Sequence, residues 1–414
     1  MRRIDIEAIG ELAGEALAAA GGFIQEMHEG IAQRPFEILG PAAGPVRAVH
    51  DGITRTVYGC VRLGLRAAPR GAAELAALRA GDDGDSLDST PAGSATLGAV
   101  NGLYGNHLAE RGNRLALAME VRRGAAAVPV TPEGLADAFP DATSRVAVFI
   151  HGLCETDEAW RQFPLGGDRG ACRTRRTYGE RLRDELGFTP VHVRYNTGLR
   201  ISRNGRELAL LLDELVHGWP TGVAELVVVG HSMGGLVARS ACHYGARDGR
   251  AWVGAVRHVF SLGAPHLGAD LEKGVNVLAW ALARVPETRG LSSFLNARSV
   301  GMKDLRFGAC TDEDWRGVDP DEFLRDRCQE VPFLAGANYY FIAASVREGP
   351  VGTLIGDLLV RVSSASGRGS GNGRRIPFEV GNGLELTGLN HFDLLNHPAV
   401  YEQIRTWVTI ETAA

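Results

Sequence analysis

Gly230-His231-Ser232-Met233-Gly234-Gly235 places a serine between two glycines at its second neighbours. The run Leu226-Val227-Val228-Val229 leads into it and Leu236-Val237-Ala238-Arg239-Ser240-Ala241 leads out, which reads as strand, sharp turn, helix. A serine at the tip of such a turn has strained dihedrals, and side chains at positions 230 and 234 would collide with neighbouring backbone. Ser232 is therefore expected at the carboxyl edge of a sheet and at a helix N-terminus, where the dipole favours developing negative charge. That is a setting for nucleophilic attack on an acyl carbon. A purely structural turn would leave the serine and its glycines unexplained.

Acyl chemistry through a tetrahedral oxyanion needs two backbone N–H donors, one after the nucleophile and one in the loop after an earlier strand. Met233 supplies the first. Val146-Ala147-Val148-Phe149-Ile150-His151-Gly152-Leu153-Cys154 is a strand ending in His-Gly, so Leu153 is the candidate for the second and Cys154 the alternative. His151 precedes the nucleophile and reads as a residue that fixes the loop by hydrogen bonding.

On a strand-turn-helix nucleophile the acid and then the base follow in the chain. Five histidines come after Ser232: His243 in the following helix, His258 in a strand, His266 in Gly263-Ala264-Pro265-His266-Leu267-Gly268, His391 and His397. His391 lies in a loop after the last strand-like run and before the terminal helix, where a general base belongs, and His397 beside Pro398 is the alternative. Asp357, in Gly356-Asp357-Leu358-Leu359-Val360, follows the strand Tyr339 to Ser345 and is the candidate acid, with Asp393 its rival. A carboxylate there accepts the imidazole Nδ1–H and stabilises the imidazolium.

The elements that position these residues show as hydrophobic periodicity. Continuous apolar runs at Arg145 to Ile150, Pro190 to Tyr195, Glu225 to Val229, Val256 to Leu262 and Tyr339 to Ser345 alternate with helical stretches such as Thr177 to Leu186 and Gly205 to His217. This pattern predicts an α/β fold with a mostly parallel central sheet covered by helices on both faces. Leu115 to Val121 and Val128 to Val130 are expected as leading strands. Residues 1–100 read as a helical N-terminal extension, from the spacing of Ile6, Ile9, Leu12 and Ala16 and of Thr54, Val57, Val61 and Leu65. It is expected as a cap packed on the catalytic domain at 101–414, with a membrane-surface role as the alternative because its polar faces are not strongly basic. Asp82 to Ser94 is rich in turn formers and marks a boundary. Residues 269–335 form an insertion with Val275, Leu278, Ala279, Leu282 and Val285 at helical spacing, read either as a lid or as a buried helix pair.

Bulk properties narrow the class. The 414 residues are 45% apolar and 22% charged, enough for a real core, and the net charge of −5 mixes both signs and argues against nucleic acid as partner. Acidic residues interrupt the start Met1-Arg2-Arg3-Ile4-Asp5-Ile6-Glu7, which disfavours a cleaved secretory signal, and no apolar run reaches spanning length. A cytoplasmic protein fits, with peripheral membrane contact open. The six cysteines, at 60, 154, 172, 242, 310 and 328, have neither CxxC pairs nor zinc-like spacing with histidine. Buried free thiols are expected of Cys310 and Cys328, with pairing as the alternative.

With these motifs in place, the chain resembles a bacterial lipase or esterase of the α/β-hydrolase superfamily, near the branch of the GPI inositol-deacylase (PGAP-type) hydrolase domains. The resemblance rests on His151-Gly152-Leu153, on Gly230 to Gly235, on Gly263 to Gly268 with Ala264 where lipases often have threonine, on Asn390-His391, and on Asp357, Val360 and Ser364 in a DxxVxxxS pattern. It covers roughly residues 110 to 410. It implies a serine ester hydrolase with Ser232, Asp357 and His391 as triad and Leu153 and Met233 as oxyanion donors, acting without a cofactor or metal on a small-molecule ester or lipid. An amidase or peptidase, an acyltransferase and a non-catalytic binding protein of the same fold are the alternatives.

Overall fold

A computed structural model describes residues 1–78, 86–162, 176–349, 356–369 and 374–410. Eight strands form one sheet: β1 (Glu120–Arg123), β2 (Ala126–Val128), β3 (Arg145–Ile150), β4 (Thr189–Arg194), β5 (Glu225–His231), β6 (Val256–Leu262), β7 (Asn338–Ser345) and β8 (Gly383–Thr387). Their order is β2-β1-β4-β3-β5-β6-β7-β8. From β4 to β8 every pairing is parallel, and only β1, against β2 and β4, is antiparallel.

The period of two along each strand divides the core. Val146, Val148 and Ile150 of β3 and Leu226 and Val228 of β5 point to one face, whereas Ala147, Phe149, Val227 and Val229 point to the other. All of them are buried, which is why these strands read as continuous apolar runs.

Two long helices open the chain, α1 (Arg3–Leu39) and α2 (Gly44–Ala77), followed by α3 (Pro91–Glu110) and α4 (Pro132–Ala138). Within the sheet region come α5 (Tyr178–Leu186), α6 (Ile201–Gly218), α7 (Met233–Arg247), α8 (Asp270–Leu282), α9 (Arg289–Asn296), α10 (Val300–Asp304) and the terminal α11 (Pro398–Ile410). Leu208, Leu212, Leu215, Leu236 and Val237 of α6 and α7 cover one sheet face. Tyr178 and Leu182 of α5, with Tyr401, Ile404 and Trp407 of α11, cover the other.

The α1–α2 hairpin is closed by small residues and ion pairs. A Cβ at Gly10 would sit 2.1 Å from Ala73 Cβ, and Arg70 pairs with Glu11 and Glu15. Further along, α1 meets the insertion: a Cβ at Gly30 would lie 2.2 Å from the Pro286 carbonyl oxygen. Helix α3 runs unbroken across residue 100. No helix among the described residues is long and apolar enough to cross a membrane.

Two strand expectations need correction. Residues 115–119 do not join β1, because the Asn101 side chain takes up their backbone, donating to the Leu115 carbonyl (2.8 Å) and accepting from the Leu117 amide (2.9 Å). The expected strand Val128 to Val130 begins earlier, at Ala126, and stops at Val128, where Pro129 has no N–H to continue the ladder.

In the insertion, α8 buries Glu272, Asn276 and Ala279 and exposes Leu271, Val277, Leu278 and Trp280. Glu272 is held by Arg298 (2.6 Å) and Arg306 (3.1 Å); Glu272 and Arg306 are buried and Arg298 is partly so. Of the five spaced apolar residues of the insertion, Ala279 is buried, Val275 and Leu282 are half-buried, and Leu278 and Val285 are exposed, so the buried side of α8 is shared with a charge cluster. Cys310 and Cys328 are free thiols, and Cys172 lies outside the described residues.

Candidate active site

Strand β5 ends at His231, and Ser232 follows at φ 52° and ψ −122°, immediately before α7. A non-glycine residue at positive φ costs on the order of 1–3 kcal/mol, which the surroundings must hold in place. They do so by space and by a hydrogen bond. A Cβ at Gly234 would stand 2.2 Å from the Ile150 carbonyl oxygen and one at Gly230 2.5 Å from Gly234 itself, so the turn closes only with glycine at both positions. The Ser232 amide donates to the Leu262 carbonyl (2.8 Å), which fixes the turn to the end of β6.

His391 stands across the same edge of the sheet. Its Nδ1 lies 2.6 Å from Asp357 Oδ2, and its backbone amide donates to the Asp357 carbonyl (3.1 Å). Asp357 Oδ1 accepts from the Leu359 (3.0 Å) and Val360 (2.8 Å) amides, so both carboxyl oxygens are engaged. Both residues are almost wholly buried. The ring rests over Gly263, the residue after Leu262, where an added Cβ would be 3.2 Å from His391 Cε1. With Nδ1 committed to Asp357, Nε2 is the nitrogen left for a proton from a substrate or a nucleophile.

The rival acid and base are employed elsewhere. Asp393 Oδ2 accepts the Asn390 amide (2.9 Å) as part of a capping box, and His397 Nδ1 accepts the Ala399 amide (3.2 Å) at the start of α11. His266 is buried against Arg239 Nη1 (3.1 Å). His258 contacts the Tyr340 hydroxyl (3.4 Å), and His243 lies in α7.

On the loop after β3, the Gly152 amide donates to Glu155 Oε2 (2.6 Å) and the Cys154 amide to the Thr197 hydroxyl (3.3 Å). Among the described residues no acceptor meets the Leu153 amide between them, nor the Met233 amide that opens α7. These are the two N–H groups expected as oxyanion donors, with Leu153 favoured over Cys154. His151 is inaccessible, its Nδ1 3.0 Å from the Gly152 carbonyl and its ring stacked on Tyr195 at 4.4 Å, which accounts for it as a loop-fixing residue.

Several contributors were missed from the sequence. Ser364 was singled out by the DxxVxxxS pattern, but its role was not: its Oγ donates to the Gly268 carbonyl (2.7 Å) and accepts from the Leu267 amide (3.1 Å), tying the Asp357 segment to the loop after β6. Helix α3 backs the loop after β3: a Cβ at Gly98 would be 2.8 Å from the Cys154 carbonyl oxygen, and one at Gly102 would be 2.3 Å from Cys154 Sγ. The spacing Gly98, Gly102, Gly105 was the available signal. Glu155 and His231 form a buried pair at 3.0 Å, and its only trace in sequence is proximity to the two motifs.

Residues 147–404, more than half of the chain, match the alpha/beta hydrolase family in sequence. The chain belongs to that family. Among solved structures, this hydrolase-family chain resembles the mature form of Bacillus licheniformis lipase BlEst2, at 18% identity and a TM-score of 0.41 over 64% of this chain and 92% of that one. It also resembles EstA from Clostridium botulinum, at 12% identity and a TM-score of 0.36 over 65% and 88% of the two chains. Pyrococcus furiosus esterase Pf2001 gives 13% identity and a TM-score of 0.33 over 65% and 83%. Likeness at this level says nothing of what the present chain acts upon. No curated protein matches its sequence.

Proposed function

We propose that the chain is a serine-dependent carboxylic ester hydrolase that works through an acyl-enzyme. Ser232 Oγ attacks the ester carbonyl while His391 Nε2 takes its proton. The Leu153 and Met233 amides hold the oxyanion, and the tetrahedral intermediate collapses as His391 returns the proton to the leaving alcohol. Water, activated by the same imidazole, then releases the acid and restores Ser232. Asp357 orients the ring and stabilises its charged form throughout. The sequence needs no cofactor.

The observation that carries this reading is the 2.6 Å contact of His391 with a doubly engaged Asp357, at the sheet edge where Ser232 is held at positive φ. An aliphatic or lipid-like ester is the favoured substrate, since Leu358 and Phe392, which directly follow the acid and the base, are exposed together with the stripe on α8. By motif, the chain resembles the inositol-deacylase (PGAP-type) branch of hydrolases. A cytoplasmic location with peripheral membrane contact accords with this reading.

A p-nitrophenyl ester series from two to sixteen carbons, run beside matched anilides, tests the proposal. Ester turnover that rises with chain length and exceeds anilide turnover supports it. Anilide turnover equal to ester turnover would favour an amidase, and product formed only with an added alcohol acceptor would favour an acyltransferase.

A further inference from the structure

His231 immediately precedes Ser232, yet its imidazole points away from the sheet edge into a closed space and is wholly inaccessible. Its Nδ1 lies 3.0 Å from Glu155 Oε2, and its Nε2 lies 3.2 Å from the backbone carbonyl oxygen of His391. Both neighbours are oxygen acceptors, one a carboxylate and one a carbonyl. Both bonds form only if both ring nitrogens carry protons, so this geometry calls for an imidazolium. The same Glu155 oxygen also receives the Gly152 amide at 2.6 Å.

We propose that Glu155 and His231 form a charged strap that joins the oxyanion loop to the loop of the catalytic base, setting the position of His391 relative to Ser232. This rests on the ester-hydrolase reading above. The strap runs from the Gly152 amide through the Glu155 carboxylate and the His231 ring to the His391 carbonyl, passing behind the nucleophile. Glu155 and His231 are positioning residues: neither is placed to touch the reacting atoms. A neutral His231 has one N–H and must release one end. Release at His391 frees the base's backbone, and release at Glu155 takes the imidazole donor from a buried carboxylate and leaves it the Gly152 amide.

Electrostatics agree with the geometry. Burial works to lower the pKa of His231, but the Glu155 carboxylate, its hydrogen bond and the His391 carbonyl outweigh it, and the net direction is upward. Burial would raise the pKa of Glu155, and His231 reverses that to a net lowering. The other titratable groups facing the pair are the His391 ring, 4.8 Å from His231 between centroids, Asp357 behind it, and His151 and Cys154 on the Glu155 side. Trp160 and Phe392 complete the enclosure with apolar surface. A raised histidine pKa means that the strap is intact below the ordinary value of 6.5 and is lost as pH climbs through the higher folded value. The alkaline limb of turnover is then set by His231.

The test uses the full chain with 15N-labelled histidine, together with Glu155→Gln and His231→Asn. In the wild type at pH 6.5, the His231 ring should show both nitrogens protonated, and that signal should vanish in His231→Asn. A His231 ring that is neutral in the wild type at pH 6.5 overturns the proposal, and it does so even if no ester is ever hydrolysed. On p-nitrophenyl butyrate, Glu155→Gln should lower kcat roughly 10- to 100-fold at pH 6.5, as expected for a misplaced base. KM should stay within about twofold, and the alkaline limb should move at least one pH unit toward acid. An unmoved limb in a folded Glu155→Gln protein contradicts the strap, since a merely structural residue would lower stability and leave that limb in place. Should Glu155→Gln fail to fold, the wild-type nitrogen signals still decide the matter.

Discussion

His391 Nδ1 and Asp357 Oδ2 lie 2.6 Å apart, and the opposite carboxyl oxygen is held by the Leu359 and Val360 amides of its own turn. Asp357 is thus fixed before it meets His391, with Gly356 at φ 66° closing the turn. Asp357→Asn keeps the shape but offers Nδ1–H an amide that can present its own N–H. Turnover of a p-nitrophenyl ester should fall roughly 10³- to 10⁴-fold with the melting temperature little changed. A loss below tenfold would assign the acid's role to another carboxylate.

Gly263 makes room for the base. It has φ 61°, and a Cβ there would stand 2.9 Å from Leu394 Cδ1 and 3.2 Å from two atoms of the His391 ring. Gly263→Ala should displace the imidazole and lower kcat by about 100-fold. It should also destabilise the fold by about 1–3 kcal/mol through backbone strain. Gly254→Ala, which meets no atom within 4 Å, is the control and should leave both activity and stability unchanged. Equal effects of the two substitutions would refute the steric argument.

Ser364 is the stitch between the acid's segment and the loop after β6. Removing its hydroxyl strands the buried Gly268 carbonyl and Leu267 amide, so Ser364→Ala should cost about 1–3 kcal/mol in urea denaturation. An unchanged midpoint would mean that other partners replace the hydroxyl.

Acid should weaken the fold through His266. Burial first, and then the Arg239 and Arg374 guanidiniums, hold its pKa well below the ordinary 6.5. The unfolded chain therefore binds a proton that the folded chain refuses. Stability is full above pH 6.5 and falls as pH drops below it, at up to about 1.4 kcal/mol per pH unit for one proton. His151, which burial also lowers, acts in the same direction and is common to both proteins in the comparison. His266→Gln should show a flatter decline in melting temperature between pH 7 and 5 than the wild type, and parallel curves would contradict the assignment.

Much of this architecture is legible in the sequence because the parallel strands are buried on both faces and so read as uninterrupted apolar runs. The serine turn is legible for a steric reason: Gly230 and Gly234 have neighbours at 2.5 and 2.2 Å. Contacts made by single side chains to distant backbone leave no periodic trace. Asn101, which takes residues 115–117 out of the sheet, belongs to this class, as does the Glu155–His231 pair. The apolar spacing from Val275 to Val285 informs only in part, since it does not reveal which positions a buried charge cluster has already claimed.

Ser232 is the proposed nucleophile, and the most direct measurement of that role is labelling of the folded chain with a fluorophosphonate probe followed by peptide mapping. Stoichiometric modification at Ser232, absent in Ser232→Ala and strongly slowed in His391→Ala, is the predicted result. No labelling of a folded protein, or labelling at another residue, would contradict it.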